Sequence, residues 1–273
     1  MQRTTSPCQP GRMVSILVLI LIAVFATASA WGQGGTVSGT IHLTATPRPN
    51  PVIRMGADPN CMSINAGKRV FEDIVNRSGD GGLGNVFVHV SGVPQTAGSG
   101  SVTLDQQGCT YHPRIVAAQV GQTLIIKNSD STLHNVHAVD PSNKYQFDQS
   151  QPSAGMTFNV PLKSEEVMLH VKCNVHPWMT GYVGIVNSPY YAISDDTGKF
   201  TIQNVPAGKQ TIEVWHEVYG PLTQTVDVKP GATTNVDFTY TGNEHPAASQ
   251  SMPTQEITVP AGANIVAFAS PGQ

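Results

Sequence analysis

Apolar and polar residues alternate with a period of two along many short stretches of this chain, the pattern of β-strands with one buried face. Residues 36–44 alternate in this way, and residues 85–90, 123–127 and 181–186 are short runs rich in Val, Ile and other strand-forming residues. Clusters of Gly, Asn and Asp, such as residues 78–84, separate the runs and indicate turns. The pattern predicts an all-β protein.

Composition supports this prediction and narrows the classes of function. The 273 residues include 26 Gly and 20 Pro, and only 12% are charged, which favours strands and turns over helices. Beyond residue 30 the chain carries 13 basic and 18 acidic residues, a formal charge of −5. This mild acidic excess, without basic clusters, argues against binding to nucleic acid or to anionic lipid.

Residues 1–30 are predicted to be an export signal. Arg3 and Arg12 supply a positive region, residues 16–25 form an apolar run, and Ala28–Ala30 is a small-residue cleavage site. The run is short for a bilayer span, but an uncleaved anchor is the alternative because the uncharged stretch extends beyond it on both sides. We expect a periplasmic or extracellular protein with no bilayer span in the mature chain.

Three potential metal donors lie within seven residues: the thiol of Cys173, the imidazole of His176 and the thioether of Met179. Two His nitrogens and a Cys thiolate in a trigonal plane, with a weak axial Met, hold copper for electron transfer. The second imidazole must come from elsewhere. His134 can supply it, because it follows the predicted strand 123–127 after a short loop.

These two motifs together resemble those of the cupredoxins, the blue copper proteins. His-Asn-Val-His at 134–137 and Cys-x2-His-x2-Met at 173–179 have spacings similar to those of amicyanin, within the amicyanin and plastocyanin type. Residues 111–128 extend the similarity, because cupredoxins enter the first histidine loop through such a strand, Val-Gly turn and strand. The resemblance covers residues 101–187 and implies a Greek-key β-sandwich with one type 1 copper.

The resemblance also implies a role for each motif residue. The expected copper ligands are His134, Cys173, His176 and Met179. Asn135 is expected to hold the ligand loop by hydrogen bonding. His137 is not an expected ligand, since side chains three residues apart in a strand point to opposite faces. The similarity to amicyanin further implies that His176 can leave reduced copper and take a proton.

The other cysteines of the mature chain are expected to form a disulfide. Beyond the signal the chain contains Cys61, Cys109 and Cys173, and exposed thiols pair in an oxidising compartment. If Cys173 binds copper, Cys61 and Cys109 are left to bond with each other. A second metal site built on Cys109 and His112 is the alternative, although no further donors are evident.

The C-terminal half has a different character. Residues 191–240 contain strand and turn units such as Val-Pro-Ala-Gly-Lys-Gln-Thr-Ile-Glu-Val-Trp at 205–215, and resemble the carboxypeptidase regulatory-like domain, a small transthyretin-like β-sandwich. That family begins with a Val-x-Gly-x-Ile strand and continues through an Asn-Val-x-Val strand. Both occur before the copper region, at 37–41 and 85–88.

We therefore predict that the cupredoxin is inserted into a loop of the second sandwich, which is tolerable because domain termini often lie close together. The expected parts are the signal at 1–30, the first part of the outer sandwich at 36–98, the cupredoxin at 101–187, the second part at 188–240 and a flexible tail at 241–273. Residues 37–43 and 85–90 should then pair in one sheet with strands from 199–240. A tandem arrangement is the alternative.

Some segments are less regular. The Pro-rich stretch 47–59 is predicted to lack regular structure, and residues 71–76 are either a short strand or a helical turn. In the tail, residues 257–259 and 264–268 have the composition of edge strands, although Pro, Ala, Ser and Gly dominate around them.

Three classes of function fit the sequence. The predicted function is one-electron transfer with an unknown redox protein partner, which needs a rigid copper site with one histidine edge near the surface. The alternatives are a copper-handling protein without a redox partner and a structural or surface-binding module. An enzyme is not expected, since neither His-Glu-x-x-His nor Gly-x-Ser-x-Gly occurs in the sequence.

Overall fold

A computed structural model describes residues 1–2 and 34–244 of the chain. Residues 3–30 of the predicted signal lie outside the described residues, and so do residues 245–273 of the predicted tail with both of its candidate strands. Nearly all of the regular structure in the described part is β-strand, as the sequence predicts. None of its helices is long and apolar enough to cross a membrane.

The described residues form seventeen strands and one short helix. In chain order the elements are β1 (Gly35–Leu43), α1 (Pro59–Ile64), β2 (Phe87–Ser91), β3 (Ser101–Gln107), β4 (Thr110–His112), β5 (Ile115–Gln119), β6 (Thr123–Asn128), β7 (His134–Val139), β8 (Asp148–Gln151), β9 (Thr157–Pro161), β10 (Glu166–Lys172), β11 (Thr180–Val186), β12 (Tyr191–Ile193), β13 (Lys199–Val205), β14 (Gly208–His216), β15 (Gly220–Val228), β16 (Thr233–Asn235) and β17 (Phe238–Tyr240). They make four sheets, which pack in two pairs.

The first pair of sheets is the outer sandwich, formed by β1, β2 and β12–β17. One sheet has the order β13-β1-β16, with β17 also paired to β1, and the other has the order β12-β2-β14-β15. Alternate residues of β1 point inward, so Val37, Ile41 and Leu43 are buried against Val88 and Ile212 of the facing sheet. Burial of this apolar face is the main force that holds the two sheets together.

The second pair is the inserted sandwich, formed by β3–β11. Its sheets have the orders β5-β11-β10-β7-β8 and β4-β3-β6-β9. The strand predicted at residues 123–127 is present as β6, where Leu124 and Ile126 are fully buried. They pack with Leu104, Val136 and Val183 in one continuous core. The copper motifs predicted from the sequence lie at one end of this sandwich.

The strand pairing shows that the inserted sandwich interrupts the outer one. β1 pairs with β13, β16 and β17, and β2 pairs with β12 and β14, so strands from before and after residues 101–186 share sheets. The tandem alternative is therefore excluded. The expectation that residues 37–43 and 85–90 share one sheet was wrong, because β1 and β2 lie in the two facing sheets, each with C-terminal partners.

A small apolar cluster lies between the two sandwiches. Phe87, Trp215, Ile115 and Val186 pack together from both sides. A side chain at Gly184 would place its Cβ 2.7 Å from the Phe87 ring, so the absence of a side chain there permits the close approach. The sandwiches are thus joined by packed surfaces as well as by two chain crossings.

The segment between β1 and β2 departs from the sequence prediction in one respect. The Pro-rich stretch 47–59 was expected to lack regular structure, yet its last residue, Pro59, starts α1. Pro fits the first turn of a helix, where its missing N–H has no partner to lose, and Asp58 caps the helix by accepting hydrogen bonds from Asn60 and Cys61. Residues 71–76 contain a single bridge, Val52 to Phe71, rather than a full strand.

Candidate metal centre

The loop between β10 and β11 presents the predicted thiol, imidazole and thioether together. Cys173 follows the last residue of β10, and the loop closes when the Cys173 N–H donates to the Met179 carbonyl at 3.0 Å. Within the loop, the Met179 N–H donates to the His176 carbonyl at 2.9 Å. Two strands that pair directly therefore fix the ends of the loop.

His134 reaches the same place because of strand pairing. It opens β7, which runs antiparallel to β10, with Lys172 opposite His137. The pairing puts the start of β7 beside the end of β10, so residues about forty positions apart in sequence become neighbours. The sequence could suggest this contact only through the family resemblance.

Three donor atoms converge at this end of the inserted sandwich. The Nδ1 atoms of His134 and His176 are 3.0 Å apart, and the Cys173 Sγ is 3.8 Å from the His176 Nδ1. All three donors lie within 4.8 Å of one another, a spacing that one metal ion can bridge. The exposed fractions are 0% for His134, 1% for His176 and 3% for Cys173, and Met179 is also buried, at 1%.

Each imidazole is oriented by a carboxylate on its outer nitrogen. The Nε2 of His134 is 2.8 Å from Asp130 Oδ2, and the Nε2 of His176 is 2.8 Å from Asp58 Oδ2. A carboxylate can only accept, so each Nε2 carries the proton and donates. Each Nδ1 is then the nitrogen that faces Cys173 and can bind a metal.

The electrostatics of the thiol suit a metal ligand. Burial alone would raise the pKa of Cys173, but the contacts with the His134 and His176 rings and the hydrogen bonds from the backbone N–H groups of His176 and Val175 outweigh burial and lower this pKa to about 6. The thiolate is therefore the dominant form at neutral pH. Thiolate is the form that binds metals.

The histidines and their carboxylates polarise one another. Burial opposes charge on His134, but hydrogen bonds with Asp130 and Cys173 raise its pKa; the pKa of His176 is raised in the same way by Cys173 and Asp58. Burial would also raise the pKa of both carboxyl groups, yet the bonded imidazoles and backbone N–H groups hold it below the ordinary Asp range. Both acids are therefore ionised acceptors at neutral pH.

Asn135 bonds to the ligand loop, and His137 lies outside the cluster of three donors. The Asn135 side-chain oxygen accepts from the Asn174 N–H at 3.2 Å, and its amide donates to Asp148 at 2.6 Å, so it ties β7 to the ligand loop. His137 points away from the three donors. Its Nδ1 contacts the Asn174 side chain at 3.2 Å, and its side chain is 35% exposed.

The structure contains the disulfide between Cys61 and Cys109, which removes the alternative of a second metal site on Cys109 and His112. The bond joins α1 to the residue just before β4, beside the metal centre: Cys61 Sγ is 3.6 Å from the His176 Nε2. Trp178 packs on the His176 ring, with centroids 5.1 Å apart, and donates to the Cys109 carbonyl at 2.8 Å.

The expectation of a histidine edge near the surface was wrong, because other groups cover both imidazoles. Asp58, the disulfide and Trp178 surround the outer edge of His176, and His134 is fully buried. Sequence reasoning missed Asp58 and Asp130 as partners of the histidines. Asp130 stands four residues before His134, but Asp58 is 118 positions from His176, and no local pattern connects the two.

The donor set fits copper. Two imidazole nitrogens and a thiolate facing one another, with a buried Met thioether next in the loop, match the soft and borderline donors of an electron-transfer copper site. The outer nitrogen of each imidazole already bonds to a carboxylate, as is usual for metal-bound histidines.

Comparison with known protein families finds a match to the C-terminal part of the described residues. Residues 182–241 match the model of the carboxypeptidase regulatory-like domain, a match that starts inside β11 and continues through the C-terminal strands of the outer sandwich. No curated protein sequence matches the chain.

Several solved structures are similar to part of the chain. A copper-containing nitrite reductase from Thermus scotoductus SA-01 is 19% identical with a TM-score of 0.29, over 31% of this chain and 22% of that one. A purple cupredoxin from Nitrosopumilus maritimus is 28% identical with a TM-score of 0.25, over 28% of this chain and 81% of that one. A mutant of amicyanin with Cu(I) is 18% identical with a TM-score of 0.28, over 36% of this chain and 97% of that one.

These values are too low for an argument about function, which rests on the donor geometry. In fold class, the chain is an all-β protein in which one β-sandwich is inserted into another, and residues 182–241, which lie largely in the outer sandwich, match the carboxypeptidase regulatory-like domain.

Proposed function

We propose that this chain is an exported type 1 copper protein that acts in one-electron transfer. The observation that carries the proposal is the convergence of two imidazole Nδ1 atoms and the Cys173 Sγ in a buried cluster. Bound copper would supply the chemistry, a change between Cu(I) and Cu(II). The chain itself would hold the donors in one arrangement.

Each ligand has a distinct part in this proposal. His134, His176 and the thiolate of Cys173 would hold the ion, and Met179 would be the weak axial donor that tunes the potential. Carboxylates hold both imidazoles, and a backbone hydrogen bond closes the loop between Cys173 and Met179. Such fixed donors suit a centre that must serve two oxidation states with little rearrangement.

Burial of the donors argues against metal exchange, and an electron would have to cross the covering formed by Asp58, the disulfide and Trp178. A copper-handling protein has to exchange its metal, whereas the three donors are at most 3% exposed. A purely structural module would not need a thiolate whose pKa lies near 6. The proposal also includes no catalytic activity, because buried donors leave little room for a substrate.

The disulfide supports the proposed location. Disulfides persist in oxidising compartments, and this one joins two segments beside the candidate copper centre. Together with the predicted export signal, it favours a periplasmic or extracellular protein. The proposed partner is a second redox protein, which would exchange single electrons with this one.

The test is to purify the protein, load it with copper and record its visible spectrum, copper content and reduction potential. We expect one copper per chain and an intense visible band from thiolate-to-copper charge transfer. Cys173→Ser should abolish the band, while the control His137→Ala should leave it unchanged. Met179→Gln should keep the band but lower the potential, since an oxygen donor favours Cu(II).

A colourless oxidised protein with stoichiometric copper would contradict the type 1 assignment. A coloured protein that exchanges electrons extremely slowly with small redox reagents would instead favour a copper-binding role without electron transfer.

A further inference from the structure

The outer edge of the candidate copper centre is covered by a segment that precedes the inserted sandwich in the chain. This covering segment, residues 53–65, leaves the outer sandwich after β1 and includes α1. Ile53, Met55 and Cys61 are buried in a small core with Cys109, and Trp178 packs against it. The centre therefore borders on residues that precede the inserted sandwich in sequence.

Three separate contacts fasten the covering segment to the inserted sandwich. The Cys61–Cys109 disulfide is covalent. On one side of it, the Asn60 side chain donates to the Thr132 hydroxyl at 3.2 Å. On the other side, the Asn65 side chain donates to the Gly108 carbonyl at 3.0 Å. The segment is thus fixed in position along its whole helix.

This attachment places one carboxylate on the metal centre. Asp58 uses one oxygen to cap α1, accepting from Asn60 at 2.7 Å and from Cys61 at 3.0 Å, and its other oxygen lies 2.8 Å from the His176 Nε2. The helix cap fixes the carboxylate, and the carboxylate in turn fixes the imidazole.

A matching arrangement exists at the second histidine. One oxygen of Asp130 accepts from the Gly108 N–H and the other from the Cys109 N–H, each at 2.8 Å, and the latter oxygen also bonds His134. Each half of the disulfide therefore adjoins one carboxylate that holds one imidazole. Asp130 belongs to the inserted sandwich, but Asp58 does not.

We propose that Asp58 is a positioning residue of the copper centre, so that the centre is complete only when the covering segment is docked. The inference rests on the proposed copper function and adds a residue from outside the copper sandwich. A carboxylate on the outer nitrogen raises the basicity of an imidazole ligand and fixes its orientation. It therefore favours Cu(II) over Cu(I).

The test must separate this role from simple helix capping. Asp58→Ser keeps a good N-cap residue, because Ser caps helices about as well as Asp, but its side chain is too short to bond His176 as well. Asp58→Asn keeps both the cap and an acceptor of the same size, but removes the charge. The two variants and the wild type would be compared as copper-loaded full chains.

For Asp58→Ser we expect a roughly 10- to 100-fold loss of Cu(II) affinity, the usual effect of removing such a partner. A tenfold loss for Cu(II) without one for Cu(I) would raise the potential by about 59 mV. The visible band should also shift, because the imidazole is no longer held. Asp58→Asn should give a smaller change in the same direction.

The outcomes separate the two proposals. If the wild type binds no copper or stays colourless, the copper function fails. If the wild type is coloured while both variants match it in Cu(II) affinity, potential and spectrum, Asp58 is only a helix cap and the inference is overturned, whatever happens to stability. A variant that is less stable but unchanged at the metal counts as the same negative result.

Discussion

At the scale of single residues, the candidate centre depends on which nitrogen of each histidine faces inward. Asp130 and Asp58 decide this, since each accepts the proton of an Nε2 atom and leaves Nδ1 for the metal. The amicyanin-like departure of His176 from reduced copper would have to break the bond to Asp58. The surroundings of that histidine thus differ from what the spacing of its motif implies.

Asn135 offers a test of how the ligand loop is held. Asn135→Ala removes the acceptor of the Asn174 N–H and should destabilise the copper-free protein by about 1–3 kcal/mol, the cost of a hydrogen bond lost next to a buried group. The measurement is chemical denaturation. The comparison variant is Asp148→Ala, which keeps the bond between Asn135 and the Asn174 N–H but removes the carboxylate that contacts the side chains of Asn135, Asn174 and His137. Equal losses in the two variants would contradict a role in holding the loop.

The candidate ligands could be proposed from the sequence, three of them because their spacing is local and His134 through the family resemblance. Three of them lie within seven residues, and the fourth follows a recognisable strand. Asp58 could not be predicted. It looks like an ordinary N-cap before a short helix, and its contact with His176 exists only after the two sandwiches have packed.

At the scale of elements, β10 is the strand on which the ligand loop depends. It pairs with β7 on one side and β11 on the other, and these are the strands that carry or flank the four candidate ligands. His170 lies in β10, donates to or accepts from the Thr180 hydroxyl at 2.6 Å, and stacks on Tyr182. It is therefore a natural probe of this strand.

His170 should make stability depend on pH. Burial, assisted by nearby Lys172 and Arg114, lowers its pKa from 6.5 to about 4. Between those values the unfolded chain binds a proton that the folded protein does not, so stability falls as the pH drops through this window, by at most about 1.4 kcal/mol per pH unit. His170→Gln should remove this part of the slope.

The measurement is the free energy of unfolding at several pH values between 6.5 and about 4. Other buried histidines keep their own contributions in the variant, since the pKa of His216 is lowered to about 3 and that of His89 is also lowered, in both cases mainly by burial. His112→Gln, at an exposed position, is the control. An unchanged slope in the His170 variant would show that this ring is not held neutral.

The disulfide acts at the same scale, because it ties α1 to the inserted sandwich. It joins residues 48 positions apart, and in the chain-entropy model a loop of that length corresponds to about 4 kcal/mol. Cys61→Ala with Cys109→Ala should cost up to that amount in a denaturation experiment. It should also move the copper potential in the direction expected for Asp58→Ser, and the opposite direction would contradict the link between the covering segment and the centre.

At the scale of the whole molecule, the nested order could be predicted but the arrangement of sheets could not. Two short strand motifs before residue 101 identified the outer sandwich as interrupted, because a family pattern spans the interruption. Nothing local specified that β1 and β2 belong to facing sheets. That assignment depends on pairing with strands more than a hundred residues later.

The contact between the two sandwiches could not be predicted from the sequence either. Arg114, before β5, and Glu217, after β14, form a two-point ion pair at 2.5 and 2.8 Å, with side chains only 9% and 8% exposed. Neither residue belongs to a recognisable motif. The pair lies beside the apolar cluster of the interface, where Trp215 precedes Glu217 by two residues.

Replacing one partner of this ion pair should destabilise the protein more than replacing both partners with apolar residues. Glu217→Gln leaves the Arg114 charge buried without its partner and should cost about 3–5 kcal/mol, whereas the double variant Arg114→Met/Glu217→Met should recover much of that loss. In Arg114→Met alone, Glu217 keeps its burial, which already raises its pKa, and loses the cation that opposes the rise. The loss of stability in Arg114→Met should therefore grow as the pH rises above 4.5, the pKa of this carboxyl group in the unfolded chain. Unfolding free energies of the three variants at acidic and neutral pH test this, and an Arg114→Met loss independent of pH would mean that Glu217 reaches water in the variant.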